Sequence, residues 1–437
     1  MTSETSSGET SSGPSDGVAP REAALAMATA ALDHRGGLEE SMDRAPFDRL
    51  EPRDRALARM IAMTLLRRLG AIDRRLEPRL HKAPPESVRM LLRLGAAQAL
   101  YMDTPSFAAV DTTVRLADQH KSTRAFKGLI NAVLRGLLRE PGPVDDDPES
   151  LAPAWLFARW RAAYGEAAAR AMAARIAQEP ATDLSLRDAG DIEPLSRALE
   201  AEILPGGMLR VAHRGDVAGW EGYGEGRWWV QDAAAAIPAR LLAVKPGETV
   251  LDGCAAPGGK TLQLAAAGAR VTAVDRSGPR LRRLSQALER TGLGAEIVIA
   301  ELAQWSDDRR FDAVLLDAPC SATGTFRRHP DVLWGSRPAD IAKLAEVQSR
   351  LLDAAAERVA PSGRLVYCVC SLEPEEGEAQ IDTFLKRHPE FQASPLNPGE
   401  GGAPDGAVTG SGRLRVLPHQ LPGGLDGFFA ARLTKAG

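Results

Sequence analysis

Four cysteines in 437 residues are too few to staple a chain of this size, so a disulfide scaffold of the secreted kind is excluded. There is no Cys-x-x-Cys pair and no accompanying histidine set, which argues against a structural metal site. No apolar run approaches the ~18 residues of a membrane-spanning helix. Met1 to Ser15 is rich in Ser, Thr, Gly and Glu, with no basic segment and no apolar core. It reads as a disordered tail and not as a signal peptide. No internal repeat is present. With 44% hydrophobic and 26% charged residues, the composition is that of a soluble globular protein of two or three domains, and the expected compartment is the cytoplasm.

The net charge is only −4, but it is unevenly spread. Glu51 to Glu140 carries 17 Arg and Lys against 9 Asp and Glu, a net of +8, which leaves −12 for the remainder. A basic region on an acidic protein suits a phosphate backbone. The competing explanation is that Arg67, Arg68, Arg74, Arg75 and Arg79 solvate helix faces.

Residues 1–18 are expected to form the tail and 19–140 an all-helical bundle. The segments 56–69, 87–100 and 125–138 are apolar at helical spacing, with Gly70 and Pro84–Pro85 as punctuation. The run Pro-Gly-Pro-Val-Asp-Asp-Asp at 141–147 reads as a linker. Residues 148–228 mix a helical stretch with strand-like pieces at 182–187 and 208–213, predicting a small α+β connector. From 229 to 437 short apolar runs alternate with amphipathic helices. Strands are expected at 249–252, 270–274, 296–299, 313–316 and 364–370, with helices at 279–291 and 340–359. This rhythm predicts a largely parallel α/β sheet with helices on both faces and ligands beyond the carboxyl ends of its strands. Asp252, Asp275, Asp317 and Cys370 fall at or beside those ends.

Two motifs carry the chemistry. Asp317-Ala318-Pro319-Cys320-Ser321 sets a carboxylate and a thiol in one turn, and Cys370 closes a later strand. A thiolate attacks electron-poor rings and leaves cleanly, and a carboxyl group beside it can hold the ring as charge develops. Two thiols and one acid suggest covalent chemistry on a pyrimidine. The turn Cys254-Ala255-Ala256-Pro257-Gly258-Gly259-Lys260-Thr261 follows the first strand. It misses a phosphate-binding Walker loop by one glycine and lacks the Gly-x-Gly-x-x-Gly of dinucleotide sites. A glycine turn with Asp275 placed for two ribose hydroxyls suits S-adenosyl-L-methionine better than ATP or NAD.

The segments 250–261, 315–331 and 365–378, with the closing Asp426-Gly-Phe-Phe429, closely resemble the Sun-type RNA cytosine-5 methyltransferases. Glu51-Pro-Arg-Asp-Arg55 and Asn131-Ala-Val-Leu-Arg135 resemble the NusB-like RNA-binding domain, a pairing typical of bacterial enzymes acting on small-subunit ribosomal RNA. The resemblance implies a Rossmann-like methyltransferase domain and methylation of a cytosine in 16S rRNA, free or in an assembling particle. It implies Cys370 as the nucleophile on ring carbon 6, Asp317 at ring nitrogen 3, and Cys320 in proton loss and adduct release. The methionine portion would lie along Cys254, Ala255, Ala256, Pro257, Gly258, Gly259 and Lys260, with Lys260 near Asp317. The ribose would sit on Asp275, and Arg280, Glu301 and Asp317 complete the expected cofactor contacts. A base must be unstacked to reach such a pocket. RNA is thus the expected partner, with no DNA, no membrane and no obligate second subunit, so a monomer is expected.

This sequence departs from the family pattern at two places. Val369 stands where a threonine usually precedes the nucleophile, and Glu301 where an aspartate usually meets the adenine amino group. Glutamate is one methylene longer and accepts the same bond. Three alternatives stay open: exchanged thiol roles, a transfer or large-subunit RNA substrate, and a non-catalytic RNA-binding assembly factor. Cys254 and Cys368 read as packing residues, as do the lone His329, Trp334 and His419.

Overall fold

The structure is a computed structural model that describes residues 17–33, 37–139, 147–212 and 215–437. Residues 1–16 of the expected tail, most of the expected linker and His213 lie outside the described residues, and Val18, placed in that tail by sequence, begins the first helix. The chain separates into two compact units, Met1–Ala154 and Trp155–Gly437.

The first unit is helical: α1 (Val18–Leu32), α2 (Gly37–Met42), α3 (Pro52–Arg67), α4 (Leu69–Leu76), α5 (Glu86–Tyr101), α6 (Ser106–Gln119), α7 (Lys127–Arg139) and α8 (Pro148–Leu151). Pro52 begins α3 at a position where its missing N–H costs nothing. The break expected at Gly70 falls instead at Arg68 (φ −111°, ψ 9°), and Gly70 lies inside α4. Packing of Ile72 and Leu76, both buried, outweighs the ~1 kcal/mol that a helical glycine costs. Gly95 has a packing reason, since a Cβ there would meet Leu134 Cδ1 at 2.6 Å. Two of the basic residues are not free on a helix face. Arg67 is buried, and Arg93 is spent on Asp73 at 2.7 Å.

The second unit opens with α9 (Ala154–Tyr164) and α10 (Glu166–Ala174). A small antiparallel sheet follows, of order β2-β3-β1-β4. Its strands are β1 (Thr182–Leu186), β2 (Glu202–Leu204), β3 (Met208–Val211) and β4 (Trp228–Val230), with α11 (Ile192–Ala198) between β1 and β2. Leu184, Leu195, Leu209, Val211 and Trp228 make its core. The boundary expected between 228 and 229 falls inside β4.

The larger sheet is built from β5 (Thr249–Gly253), β6 (Arg270–Asp275), β7 (Glu296–Ile299), β8 (Phe311–Asp317), β9 (Val359–Val369), β10 (Phe391–Ala393), β11 (Leu414–Val416) and β12 (Phe428–Lys435). Its helices are α12 (Ala233–Leu241), α13 (Gly259–Ala266), α14 (Gly278–Thr291), α15 (Asp331–Gly335), α16 (Pro338–Glu357) and α17 (Glu378–Arg387). The strand order is β10-β12-β9-β8-β5-β6-β7, with β11 on β12. The five strands from β9 to β7 are parallel, and β12, β10 and β11 add an antiparallel flank. The expected largely parallel sheet is therefore mixed at one edge.

Helices cover both faces because alternate strand residues point opposite ways. Val250, Leu315 and Val366 pack with Ile237, Leu241 and Leu264 of α12 and α13. Leu251, Val314, Leu316 and Tyr367 pack with Leu351 and Leu352 of α16 and Phe384 of α17. Each such buried side chain contributes roughly 1.5–3 kcal/mol. Chain direction reverses its spread at β5, which has β6 on one side and β8 on the other. The loops after β5 and β8 therefore flank one crevice, the usual place for a ligand in an open parallel sheet.

Candidate active site

The carboxyl ends of β6, β5, β8 and β9 stand side by side and deliver Asp275, the turn 254–260, Asp317 and Cys370 to one edge of the sheet. β9 ends at Val369, one residue earlier than expected, so Cys370 is the first residue off the strand.

The turn after β5 is held in a shape few residues tolerate. Cys254 takes φ 62° and Gly258 φ 112°, and the Ala256–Pro257 peptide is cis. The Ala256 N–H donates to Asp275 Oδ2 at 3.1 Å, and the Ser277 N–H donates to Oδ1 at 2.8 Å. Arg280, on the exposed side of α14, donates to the Ala256 carbonyl. Asp275 thus reads the turn as well as facing the crevice, and each of its oxygens keeps a second lone pair for a hydroxyl. A Cβ on Gly258 would meet Leu284 Cδ1 at 2.3 Å, so the backbone comes closer to its neighbour than any side chain permits. Gly258→Ala is expected to destabilise the fold by about 1–3 kcal/mol. It is also expected to weaken cofactor binding about tenfold or more. Thermal unfolding and titration calorimetry check both, and unchanged values would show that the turn is not strained.

Lys260, in the first turn of α13, is buried and places Nζ 2.7 Å from Asp317 Oδ2. Burial works against its charge, but Asp317, helped by Cys368 and Cys370, outweighs this and holds its pKa above the ordinary value. The same ammonium lies 5.0 Å from the ring centroid of Phe428, which gives the Asp426-Gly-Phe-Phe segment a contact in the site. Behind the turn, the fully buried Asp252 accepts from Thr261 Oγ1 at 2.6 Å. Burial pushes its carboxyl up to about 7.

Cys320 and Cys370 bring their sulfurs to 3.4 Å. The Cys320 thiol is pushed well up, first by its hydrogen bond with Cys370, then by burial, with the charge of Glu376 adding to both. Cys368 is buried in the core with its sulfur 3.6 Å from Asp317 Oδ1. Burial and Asp317 keep it a thiol, in line with its expected packing role. Cys254 is likewise pushed up by burial and by Asp275. Val369 lies fully buried in β9, paired with Phe429 of β12, where a methyl replaces a hydroxyl without leaving a polar atom unmet. Glu301 follows β7 at the far end of the crevice, half-buried beside the exposed Ile299.

Sequence reasoning quoted Glu376 within a motif but gave it no role. The structure buries it completely between the residues that follow the two cysteines. Its oxygens accept from the Ser321 N–H at 2.9 Å and from the hydroxyls of Ser321 and Ser371. The signal available was a run of acids beside Pro374, which sequence alone cannot sort into surface and core.

The carboxylates of Asp275 and Asp317, set at the strand ends on either side of the turn after β5, are groups that suit a cationic sulfonium nucleoside. Fold and site together define an S-adenosyl-L-methionine-dependent methyltransferase. Residues 239–434 match the family model described as 16S rRNA methyltransferase RsmB/F, and residues 19–139 match the NusB family. A ribosomal RNA small subunit methyltransferase B from Pseudomonas syringae is 38% identical, covering 95% of this chain and 97% of its own. One of the same description from Xanthomonas campestris is 36% identical, covering 96% and 98%. The crystal structure of a methyltransferase homologue from Pyrococcus horikoshii is 26% identical with a TM-score of 0.55, over 69% of this chain and 98% of that one. The chain belongs to the RsmB/F methyltransferase family and carries a NusB-family helical region before its catalytic domain.

Proposed function

We propose that this protein methylates carbon 5 of a cytosine in 16S rRNA through a covalent adduct between Cys370 and the ring. The observation that carries the reading is the pair of thiols 3.4 Å apart, with Asp317 at the end of the neighbouring strand β8 and held there by Lys260 of α13. Bound S-adenosyl-L-methionine supplies an electrophilic methyl group. The thiolate of Cys370 adds to carbon 6, forming a C–S bond and placing an electron pair on the ring. A proton carried by Asp317 is shared with or passed to nitrogen 3 as that charge builds and returns when the adduct collapses, which removes the penalty of an unpaired anion in a closed site. The electron pair then forms the bond from carbon 5 to the methyl, whose bond to the cofactor sulfur breaks with its pair left on the sulfur. With Cys370 bound to the ring, Cys320 gives up its own proton to solvent and as thiolate takes the proton from carbon 5, the C–S bond breaks, and Cys370 leaves as thiolate. Cys254 to Lys260 would hold the methionine end of the cofactor, with Asp275 at the ribose hydroxyls and Glu301 at the adenine. Arg280 braces this turn through the Ala256 carbonyl.

The relatives' description as small-subunit methyltransferases supports 16S rRNA as substrate, and the NusB-family region supports RNA as the partner. The test is bisulfite sequencing of ribosomal and transfer RNA from cells with and without this gene. One cytosine in small-subunit RNA is expected to lose protection. Loss in transfer or large-subunit RNA would keep the chemistry and replace the substrate. No change in any RNA would sink the enzymatic reading in favour of a binding factor.

A further inference from the structure

The residues that follow the two proposed reacting cysteines share one buried acid. Cys320 and Cys370 sit on separate loops, fifty positions apart in sequence, with no covalent link to fix their separation. Glu376 is fully buried, and the donors that reach its carboxylate carry no charge. One oxygen accepts from the Ser321 N–H and from Gln348 Nε2, each at 2.9 Å. The other accepts from the hydroxyls of Ser321 and Ser371, which lie 3.2 Å from each other. Gln348, on α16, also donates to the Pro319 carbonyl at 2.9 Å. Tyr367 of β9 donates to the Glu376 backbone carbonyl at 2.6 Å. A buried carboxylate is stable only with its lone pairs satisfied, so every donor here is drawn to one point between the loops.

We infer that Glu376 is a positioning residue that ties the Pro319–Ser321 turn to the Cys370–Ser371 turn and so sets the spacing of the two thiols. The inference rests on the cytosine chemistry proposed above. An apolar or shortened side chain would take away the one acceptor that four donors share and let the loops part. A displacement of about 1 Å at reacting atoms is enough for a hundredfold loss of rate. Glutamine can keep the geometry. Its oxygen takes the Ser321 N–H and Gln348, and its amide donates to the two hydroxyls, which rotate to accept.

The experiment compares E376A, E376Q, S321A and S371A in the full-length protein, by single-turnover methyl transfer on 16S rRNA and by binding of S-adenosyl-L-methionine. E376A is expected to lose about 100-fold or more in rate with cofactor affinity nearly unchanged, because the glycine turn lies on the other side of β8. E376Q is expected to recover to within about tenfold of the wild type, and each serine variant to lose about tenfold. A folded E376A at wild-type rate overturns the inference, and so does an E376Q as slow as E376A, which would assign the effect to charge. Should E376A not fold, wild-type rates in both serine variants overturn it, whereas the expected losses there support it. Cys320→Ala is run alongside and must trap RNA covalently. If it does not, the underlying chemistry has failed and not the role of Glu376.

Discussion

Cys370→Ala is expected to abolish methylation and every covalent protein–RNA adduct, a loss of about four orders of magnitude or more in turnover. Cys320→Ala is expected to do the opposite to the adduct, which should accumulate and survive a denaturing gel while turnover falls roughly 10²–10⁴-fold. The asymmetry follows from surroundings. The thiolate is the attacking form of a cysteine, and Cys320 is held far from it by its bond to Cys370, by burial and by the negative charge of Glu376. A thiol kept neutral in the resting site is a poor nucleophile, and it can serve as a base only after Cys370, whose bond holds it neutral, has joined the ring. Cys370 lies one residue off β9, with its carbonyl fixed by the Gly324 N–H at 3.0 Å, so its sulfur is presented from a rigid strand end. Because the sulfurs are only 3.4 Å apart, either could reach the same ring carbon, and geometry alone does not separate them. Trapping by Cys370→Ala and not by Cys320→Ala would exchange their roles.

The parallel strands were legible because strands buried on both faces read as continuous apolar runs. Val250-Leu251, Val314-Leu315-Leu316 and Leu365 to Val369 have that form. The antiparallel flank was not legible. β10 and β11 are three residues each, and β12 mixes Phe428 and Phe429 with Arg432, Thr434 and Lys435, so neither length nor periodicity marks them. Gly70 misled because a lone glycine in a helix costs little beside the packing it accompanies. The thiols, Asp317 and the glycine turn could be read as residue types at strand ends, since chemistry needs those types there. Glu376 could not. Glu373, Glu375, Glu376 and Glu378 look alike in the sequence. Folding sends Glu373 and Glu375 to Arg159 and Glu378 to Arg415, and sets Glu376 among the uncharged donors of two serines and Gln348. Burial and partner are tertiary properties, and no local pattern carries them.

The Lys260–Asp317 pair joins the turn after β5 to the turn after β8, so its two members are expected to act as a unit. Asp317→Asn should reduce adduct formation by about 10²–10³-fold, the usual loss when a preorganised partner of a developing charge is removed. It should also disturb Lys260. In the native protein burial lowers the pKa of that ammonium while Asp317 raises it, and the balance is upward. The stability this contributes is complete below the ordinary value of 10.5 and is lost only as pH rises through the higher folded value. Removing Asp317 leaves burial to act with much less opposition, which lowers the pKa and makes the buried cation a liability at neutral pH. Breaking a buried pair in this way costs about 3–5 kcal/mol at full burial. Asp317 is 30% exposed, so a smaller loss is expected. Lys260→Met alone should also slow the reaction, but adding Asp317→Asn to it should cost far less than Asp317→Asn costs by itself. A thermodynamic cycle on unfolding midpoints and on adduct rates measures this, with a coupling of about 0.5–3 kcal/mol expected for groups in contact. Strictly additive effects would mean that the cation serves the cofactor and the carboxylate serves the ring independently, and that the 2.7 Å contact is incidental to catalysis.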